Sequence, residues 1–338
     1  MAHKPNFPFG STMPKIAVIR YTNNKWQKAK LVSRKQMKNS LPCHSVHYGE
    51  GGFEGARGVL NVQGRILFFR PELNYKRLIG SMERQGFPAI PEEMYNGAIK
   101  MVAQEYAKSI FKKPGDSIYI RPLFYCPNDQ GYGVLGNDDF VFTVGVCTLD
   151  TDNSYKIKVT VEEKDRRAFE GGTGAFKLSC NYAIARRALK KAVSKGFNDV
   201  VFLSQKKLVE ELSSKNIWWE EKDGTLCTPS LERGTILPGI TRLSIVELMK
   251  QNGKKVKFVN ITIKKLCGKI SRGEVIRVFS SGTAITLAEI TVINYKGKAY
   301  IPKKAGKGGI IQTLYNSLTD CYMGKRNRPW TQELFFLN

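Results

Sequence analysis

Between Gly172 and Tyr182 the chain reads Gly-Thr-Gly-Ala-Phe-Lys-Leu-Ser-Cys-Asn-Tyr, a glycine-rich loop that runs directly into a helical pattern. Ile184, Ala188, Leu189, Ala192 and Val193 then recur on one helix face, and Gly196 closes the run. Glycines let a backbone turn sharply and approach its neighbours closely, so Lys177 is placed between a tight loop and a helix start. Further along, Glu211 stands near the end of an apolar strand pattern, and Leu237-Pro238-Gly239-Ile240-Thr241 forms a turn that opens another helix. Strands and helices alternating in this way confine the chain to a mixed α/β (α+β) fold.

The rest of the chain keeps to that alternation. Ile16 to Arg20 and Lys28 to Val32 read as strands about the turn Asn23-Asn24, and Asn61 to Gly64 turns into a strand at Arg65 to Phe69. Pro71 opens a helix at the position proline tolerates best, with Leu73, Leu78 and Met82 in register. Pro91 to Phe111 is a second helix, with Met94, Ile99, Val102, Tyr106 and Ile110 inward. Ser117 to Tyr125, Asp139 to Thr148, Lys156 to Val161 and Asp199 to Ser204 read as strands. Asn216 to Glu220 and Thr225 to Thr228 form a hairpin about Asp223-Gly224. Arg242 to Asn252 is a helix closed by Gly253, and Val275 to Ser280 a strand leading into Ser281-Gly282-Thr283-Ala284. Tyr295 to Lys298 turns one more hairpin. The polar, aperiodic stretch 150–154 marks an interdomain linker, giving a smaller N-terminal α/β domain over 1–149 and a larger domain over 155–338.

Several function classes fall away on composition. No apolar run is long enough to span a bilayer, and the polar stretch from Met1 to Gly10 has no signal-peptide core. Seven dispersed cysteines without a Cys-x-x-Cys pair fit reduced thiols in the cytoplasm. Three histidines and these cysteine spacings match no metal-ligand pattern, so no metal site is expected. The net charge of +25 is spread along the chain, beside apolar positions and without a nucleic-acid motif. It reads as a solvated basic surface that can attract anionic substrates.

A lysine amine, a carboxylate and a helix N-terminus are together what pyridoxal phosphate requires: an aldehyde partner, a countercharge for the ring nitrogen and a cradle for the phosphate. A protonated lysine is a poor nucleophile, so Lys177 in that role asks for surroundings that favour the neutral amine. Glu210 competes with Glu211 for the carboxylate role. Strand alternation through Leu208-Val209-Glu210-Glu211 turns one of the two inward.

Blocks covering most of the chain, in order, resemble the branched-chain-amino-acid aminotransferases, pyridoxal-phosphate enzymes of fold type IV. They are His47-Tyr48-Gly49-Glu50-Gly51-Gly52-Phe53-Glu54-Gly55, Asn74-Tyr75-Lys76-Arg77-Leu78, Tyr119-Ile120-Arg121-Pro122-Leu123, Lys177 to Tyr182, Glu210-Glu211 with Asn216, Leu237 to Arg242, and Ser281 to Ala284. The resemblance implies a C-terminal domain with a barrel-like sheet, and transamination between Leu, Ile or Val and 2-oxoglutarate through a Schiff base on Lys177. It selects Glu211 for the ring nitrogen and Tyr182 for the cofactor's phenolic oxygen. Arg77, Ile240, Thr241 and Thr283 are implied to hold the phosphate. Tyr48, Phe53, Tyr119, Arg121 and Ala284 are implied to meet the substrate, as one apolar pocket that must accept both a branched side chain and a γ-carboxylate. The implied partners are amino acids, 2-oxo acids and a second copy of the chain in a homodimer, with neither nucleic acid nor membrane.

Two stretches depart from the family pattern. Leu178-Ser179-Cys180 stands where relatives carry small residues before Asn-Tyr, and Leu212-Ser213-Ser214-Lys215 places a positive charge near Glu211. These changes bear on rate and substrate range more than on cofactor binding. The alternative reading keeps the fold and changes the chemistry, to a D-amino-acid aminotransferase or an aminodeoxychorismate lyase. Those relatives share the lysine, glutamate and phosphate residues but generally lack the Tyr-x-Arg-Pro block.

Overall fold

A computed structural model describes residues 9–129, 131–135, 139–149, 155–303 and 309–336. The linker expected at 150–154 lies outside the described residues. The chain divides into two compact units. One comprises Pro8–Thr151, Phe176–Cys180 and Asp320–Asn338; the other comprises Met1–Phe7, Asp152–Ala175 and Asn181–Thr319.

The first unit holds a ten-stranded sheet among its described residues. Its central strands, Ser117–Tyr125 and Phe140–Leu149, pair antiparallel along most of their length, with Ile120 opposite Val146 and Leu123 opposite Thr143. Ala56–Leu60, Arg65–Phe69 and Thr331–Phe336 extend the sheet on one side, and Lys15–Thr22 extends it on the other. The turn at Asn23-Asn24 forms as the sequence predicts, with both residues at positive φ. The helices Pro71–Arg84 and Glu92–Ile110 bring Leu78, Met82, Ile99 and Val102 into one core with Phe68, Phe124 and Phe142, each fully buried. Burying side chains of this size supplies about 1.5–3 kcal/mol apiece.

In the second unit six strands close on themselves. Lys156–Val161 runs parallel to both Asp199–Leu203 and Leu287–Tyr295. Val209–Leu212, Asn216–Glu221 and Val275–Ser281 complete the ring with antiparallel pairings. This is the barrel-like sheet expected for fold type IV. A barrel this small has its interior filled by side chains; Val159, Leu203, Leu212, Trp219, Val278 and Ile290 share one core with Leu266 and Ile270 of the helix Ile263–Ser271.

Three local expectations are corrected. Ile184 is exposed; the helix Tyr182–Ser194 buries Ala185 together with the expected Ala188 and Ala192, while Leu189 and Val193 are half-buried. Strand alternation also fails at the glutamates: Glu210 and Glu211 are both buried, at 2% and 4% exposure. All four residues of their strand, Val209–Leu212, are buried, so neither of its faces meets water. The helix read from Arg242 starts two residues earlier, spanning Ile240–Gln251.

Candidate active site

In the first unit, the backbone of Lys177 is fixed from both sides. Its carbonyl accepts from the Phe53 N–H at 3.0 Å, and its own N–H donates to the Ser81 hydroxyl at 3.0 Å. Gly52 bridges to Leu178, which is fully buried in the core. A Cβ at Gly52 would lie 2.8 Å from the Lys177 carbonyl oxygen and 2.7 Å from the Phe124 ring. The Gly51-Gly52-Phe53 strand can therefore approach the lysine segment only because position 52 has no side chain.

The Phe53 ring has two cations within reach. The Lys177 ammonium is 4.8 Å from its centroid and the Arg121 guanidinium 4.4 Å, each suited to a cation–π contact. Arg121 Nη2 donates to the Tyr119 hydroxyl at 3.0 Å, while its buried Nε has no hydrogen-bond partner. That hydroxyl would be only 2.1 Å from a Cβ at Gly55, so the last glycine of the motif makes room for Tyr119. Lys177, Phe53, Tyr119 and Arg121 thus form one group. Tyr48 is engaged elsewhere: it is 41% exposed and its hydroxyl donates to the Tyr132 carbonyl at 2.5 Å.

Arg77, expected at the phosphate, grips Glu54 in a fork, with Nε to Oε1 at 2.7 Å and Nη2 to Oε2 at 2.8 Å. Asn74 adds a donor to the same carboxylate at 2.7 Å. Glu54 is fully buried, so the pair fixes the helix Pro71–Arg84 to the Phe53 motif. The sequence reading gave Glu54 no role, although the residue stands inside a quoted motif.

The second unit assembles the remaining residues around Asn216, which pairs in register with both Glu211 and Ser281. Asn216 Nδ2 donates to Glu211 Oε2 and to the Leu237 carbonyl, both at 3.0 Å. Glu211 Oε1 accepts from the Leu237 N–H at 3.2 Å and forms an ion pair with Arg167 at 2.7 Å. A Cβ at Gly239 would fall 2.1 Å from Asn216 Oδ1, which explains the glycine in Leu-Pro-Gly. Ile240 and Thr241 begin their helix with Gly239 at the N-cap, no capping side chain and no acid in the first turn. Thr241 Oγ1 donates to the Gly282 carbonyl at 3.1 Å, which ties the helix start to the half-buried Thr283 and Ala284. Tyr182, half-buried, is the first residue of its helix; just before it, Asn181 Nδ2 donates to the Thr173 carbonyl at 2.9 Å.

Several buried charges in this unit are paired. Lys215, the departure flagged beside Glu211, pairs with the buried Asp199 at 2.6 Å, and Asp199 also accepts from the Val200 and Ser213 N–H groups. Burial lowers the Arg242 guanidinium to about 10, against the opposing effect of Glu211. Neither oxygen of Glu210 accepts a well-formed hydrogen bond. Burial pushes its carboxyl up, while the Thr235 side chain and then Arg167, Arg233 and Arg166 pull it down. Arg167, which holds Glu211, was missed by sequence reasoning; its one signal was a pair of arginines ahead of the glycine loop. Among the described residues no group of His, Cys, Asp and Glu could hold a metal, and no helix is long and apolar enough to cross a membrane.

The residues suit a pyridoxal phosphate ligand. A helix start without a capping side chain or an acid offers its N–H groups to a phosphate, and Glu211 presents a buried, oriented carboxylate. Residues 51–293 match the family model for amino-transferase class IV. Branched-chain-amino-acid transaminase 1 of Bacillus subtilis strain 168 is 34% identical over 87% of this chain and 84% of its own length. The chloroplastic branched-chain-amino-acid aminotransferase 5 of Arabidopsis thaliana is 35% identical over 86% of this chain and 69% of its own. The solved branched-chain amino acid aminotransferase of Thermobaculum terrenum, in its PLP form, superimposes with a TM-score of 0.76 at 19% identity, covering 98% of this chain and 100% of that one. Its likeness carries the fold, and the two closer sequences carry the family: this chain belongs to the class IV aminotransferases, among the branched-chain-amino-acid transaminases.

Proposed function

We propose that the chain is a pyridoxal-phosphate-dependent transaminase that exchanges the amino group between L-leucine, L-isoleucine or L-valine and 2-oxoglutarate. The observation that carries this reading is the setting of Glu211. It is a buried carboxylate held by Asn216, Arg167 and the N–H of Leu237, the first residue of the turn that leads into an uncapped helix start. When bound, the cofactor supplies an aldehyde that activates the amino acid's Cα–H and a protonated ring that accepts its electrons.

Lys177 Nζ would engage that aldehyde and then carry the proton to and from the substrate's Cα as general base and acid. Glu211 would accept the ring N–H and Tyr182 would donate to the phenolic oxygen. Arg77, Ile240, Thr241 and Thr283 would hold the phosphate. Phe53 and the faces of Tyr119 and Tyr48 receive the branched side chain. Arg121, whose Nε has no partner in the protein, pairs with glutamate's γ-carboxylate, and the Ala284 backbone meets the α-carboxylate.

The reading includes a homodimer in the cytoplasm. Leu41, Val46, Tyr132, Val134 and Leu135 are exposed together with Tyr48, whose hydroxyl binds the Tyr132 carbonyl. An apolar group of this kind on one unit fits a second copy of the chain. All seven cysteines are free thiols, as a reducing compartment requires.

An amino-donor screen with 2-oxoglutarate tests the assignment. Activity with L-leucine, L-isoleucine and L-valine is expected, together with a visible absorbance band that borohydride bleaches and that Lys177→Ala lacks. Turnover of D-alanine or aminodeoxychorismate instead would replace the reading with the alternative chemistry.

A further inference from the structure

Glu211 takes its orientation partly from outside its own strand pairings. Arg167, 7% exposed, lies in the irregular segment ahead of the glycine loop. Its Nη2 stands 2.7 Å from Glu211 Oε1, 3.1 Å from the Gly174 carbonyl and 2.5 Å from the Thr235 carbonyl. The loop it crosses has no slack: a Cβ at Gly174 would come within 2.5 Å of the Ala168 side chain and 2.7 Å of the Thr235 carbonyl. Beyond Thr235 the chain reaches Leu237, whose N–H donates to the same Glu211 oxygen. The neighbouring Glu210, equally buried, has no such ion pair, and neither of its oxygens accepts a well-formed hydrogen bond. Of two adjacent buried carboxyls, only Glu211 receives the guanidinium.

We propose that Arg167 is a positioning residue for transamination, joining Glu211, the glycine loop that leads to Lys177 and the turn that leads to Ile240 into one rigid block. The proposal rests on the reading of Glu211 as the partner of the ring nitrogen. Arg167 touches neither the substrate nor the reacting atoms; it acts through the carboxylate it holds. An arginine is suited to this because its planar guanidinium stays charged and keeps several donors in fixed directions, whereas lysine offers a single mobile ammonium.

A double-mutant cycle on cofactor affinity tests it. The Kd of the resolved apo-protein for pyridoxal phosphate is measured by quenching of tryptophan fluorescence for wild type, R167M, E211Q and R167M/E211Q, with the visible spectrum of each bound form. R167M is expected to weaken binding about tenfold, the scale of one charge-assisted hydrogen bond, and to shift the visible band. In the E211Q background the same substitution should add less than about threefold, and R167K should restore only part of the loss. A ratio between the two losses below about threefold overturns the proposal, because Arg167 would then act independently of Glu211. If E211Q itself leaves both affinity and spectrum unchanged, the Glu211 assignment fails and this proposal fails with it. An impaired E211Q with additive losses removes only the role of Arg167. Should R167M yield no folded protein by circular dichroism, R167K carries the cycle under the same criterion.

Discussion

The Phe53 N–H donates to the Lys177 carbonyl at 3.0 Å, and the Phe53 ring faces the Lys177 ammonium at 4.8 Å. One residue therefore positions both the backbone and the side chain of the lysine. The contact depends on the glycine before it. Gly52→Ala would drive a methyl group into the Lys177 carbonyl and the Phe124 ring, and overpacking of this kind costs about 1–3 kcal/mol. A lower Tm and reduced transaminase activity are expected together. An unchanged melting curve would contradict the close approach.

Arg121 should separate the two substrate classes. Arg121→Gln removes the charge facing the γ-carboxylate and keeps comparable volume, at a cost of about 1.5–3 kcal/mol. The KM for 2-oxoglutarate should rise about tenfold or more, with a smaller change for L-leucine. Steady-state kinetics with each substrate varied in turn checks this. Equal effects on both would mean that Arg121 supports the pocket wall and not the carboxylate.

The Lys215–Asp199 pair offers a test of stability apart from chemistry. Lys215→Met leaves Asp199, 2% exposed, without its countercharge, and breaking a buried pair from one side costs about 3 kcal/mol. Urea denaturation should show that loss for K215M and recovery of most of it in D199N/K215M. Additive losses in the double variant would show that the two charges do not stabilise each other.

Thiol chemistry should distinguish Cys180 from the other six cysteines. Cys180 is exposed; the rest are buried. Burial pushes the Cys267 thiol up to about 12 and those of Cys227 and Cys321 to about 11. The thiolate is the nucleophile, so at pH 8 these three remain protonated as well as shielded. Brief iodoacetamide treatment of native protein should label Cys180 alone by mass spectrometry, and all seven cysteines after denaturation. Label on Cys267 ahead of Cys180 would overturn the assignment of burial.

Much of this was legible before any coordinates, because turns and helix starts are local chemistry. Asn23-Asn24, Asp223-Gly224 and Gly239 before Ile240 each announce their backbone by residue type. The ring closure was legible only through the family resemblance: it pairs Lys156–Val161 with Leu287–Tyr295 across most of the second unit, and the intervening sequence does not itself specify which strand lies alongside. For the same reason Glu210 misled, since alternation assumes a strand with one wet face. Arg167 was hidden because its value lies in three acceptors, two of them backbone carbonyls, which have no side-chain signature. The residues of the site were readable as types, Lys177 and Glu211 above all, whereas the supports that orient them were not.

The strand Thr331–Phe336 pairs with Arg65–Phe69, and Phe176–Cys180 sends Leu178 into the same core as Phe68. A protein synthesised from its N-terminus thus holds this sheet unfinished while the second unit's residues up to Thr319 are being made. The edge at Arg65–Phe69 stays open until Thr331–Phe336 has been made. Premature termination or trimming near residue 330 would expose that edge and leave most of the second unit's sequence intact.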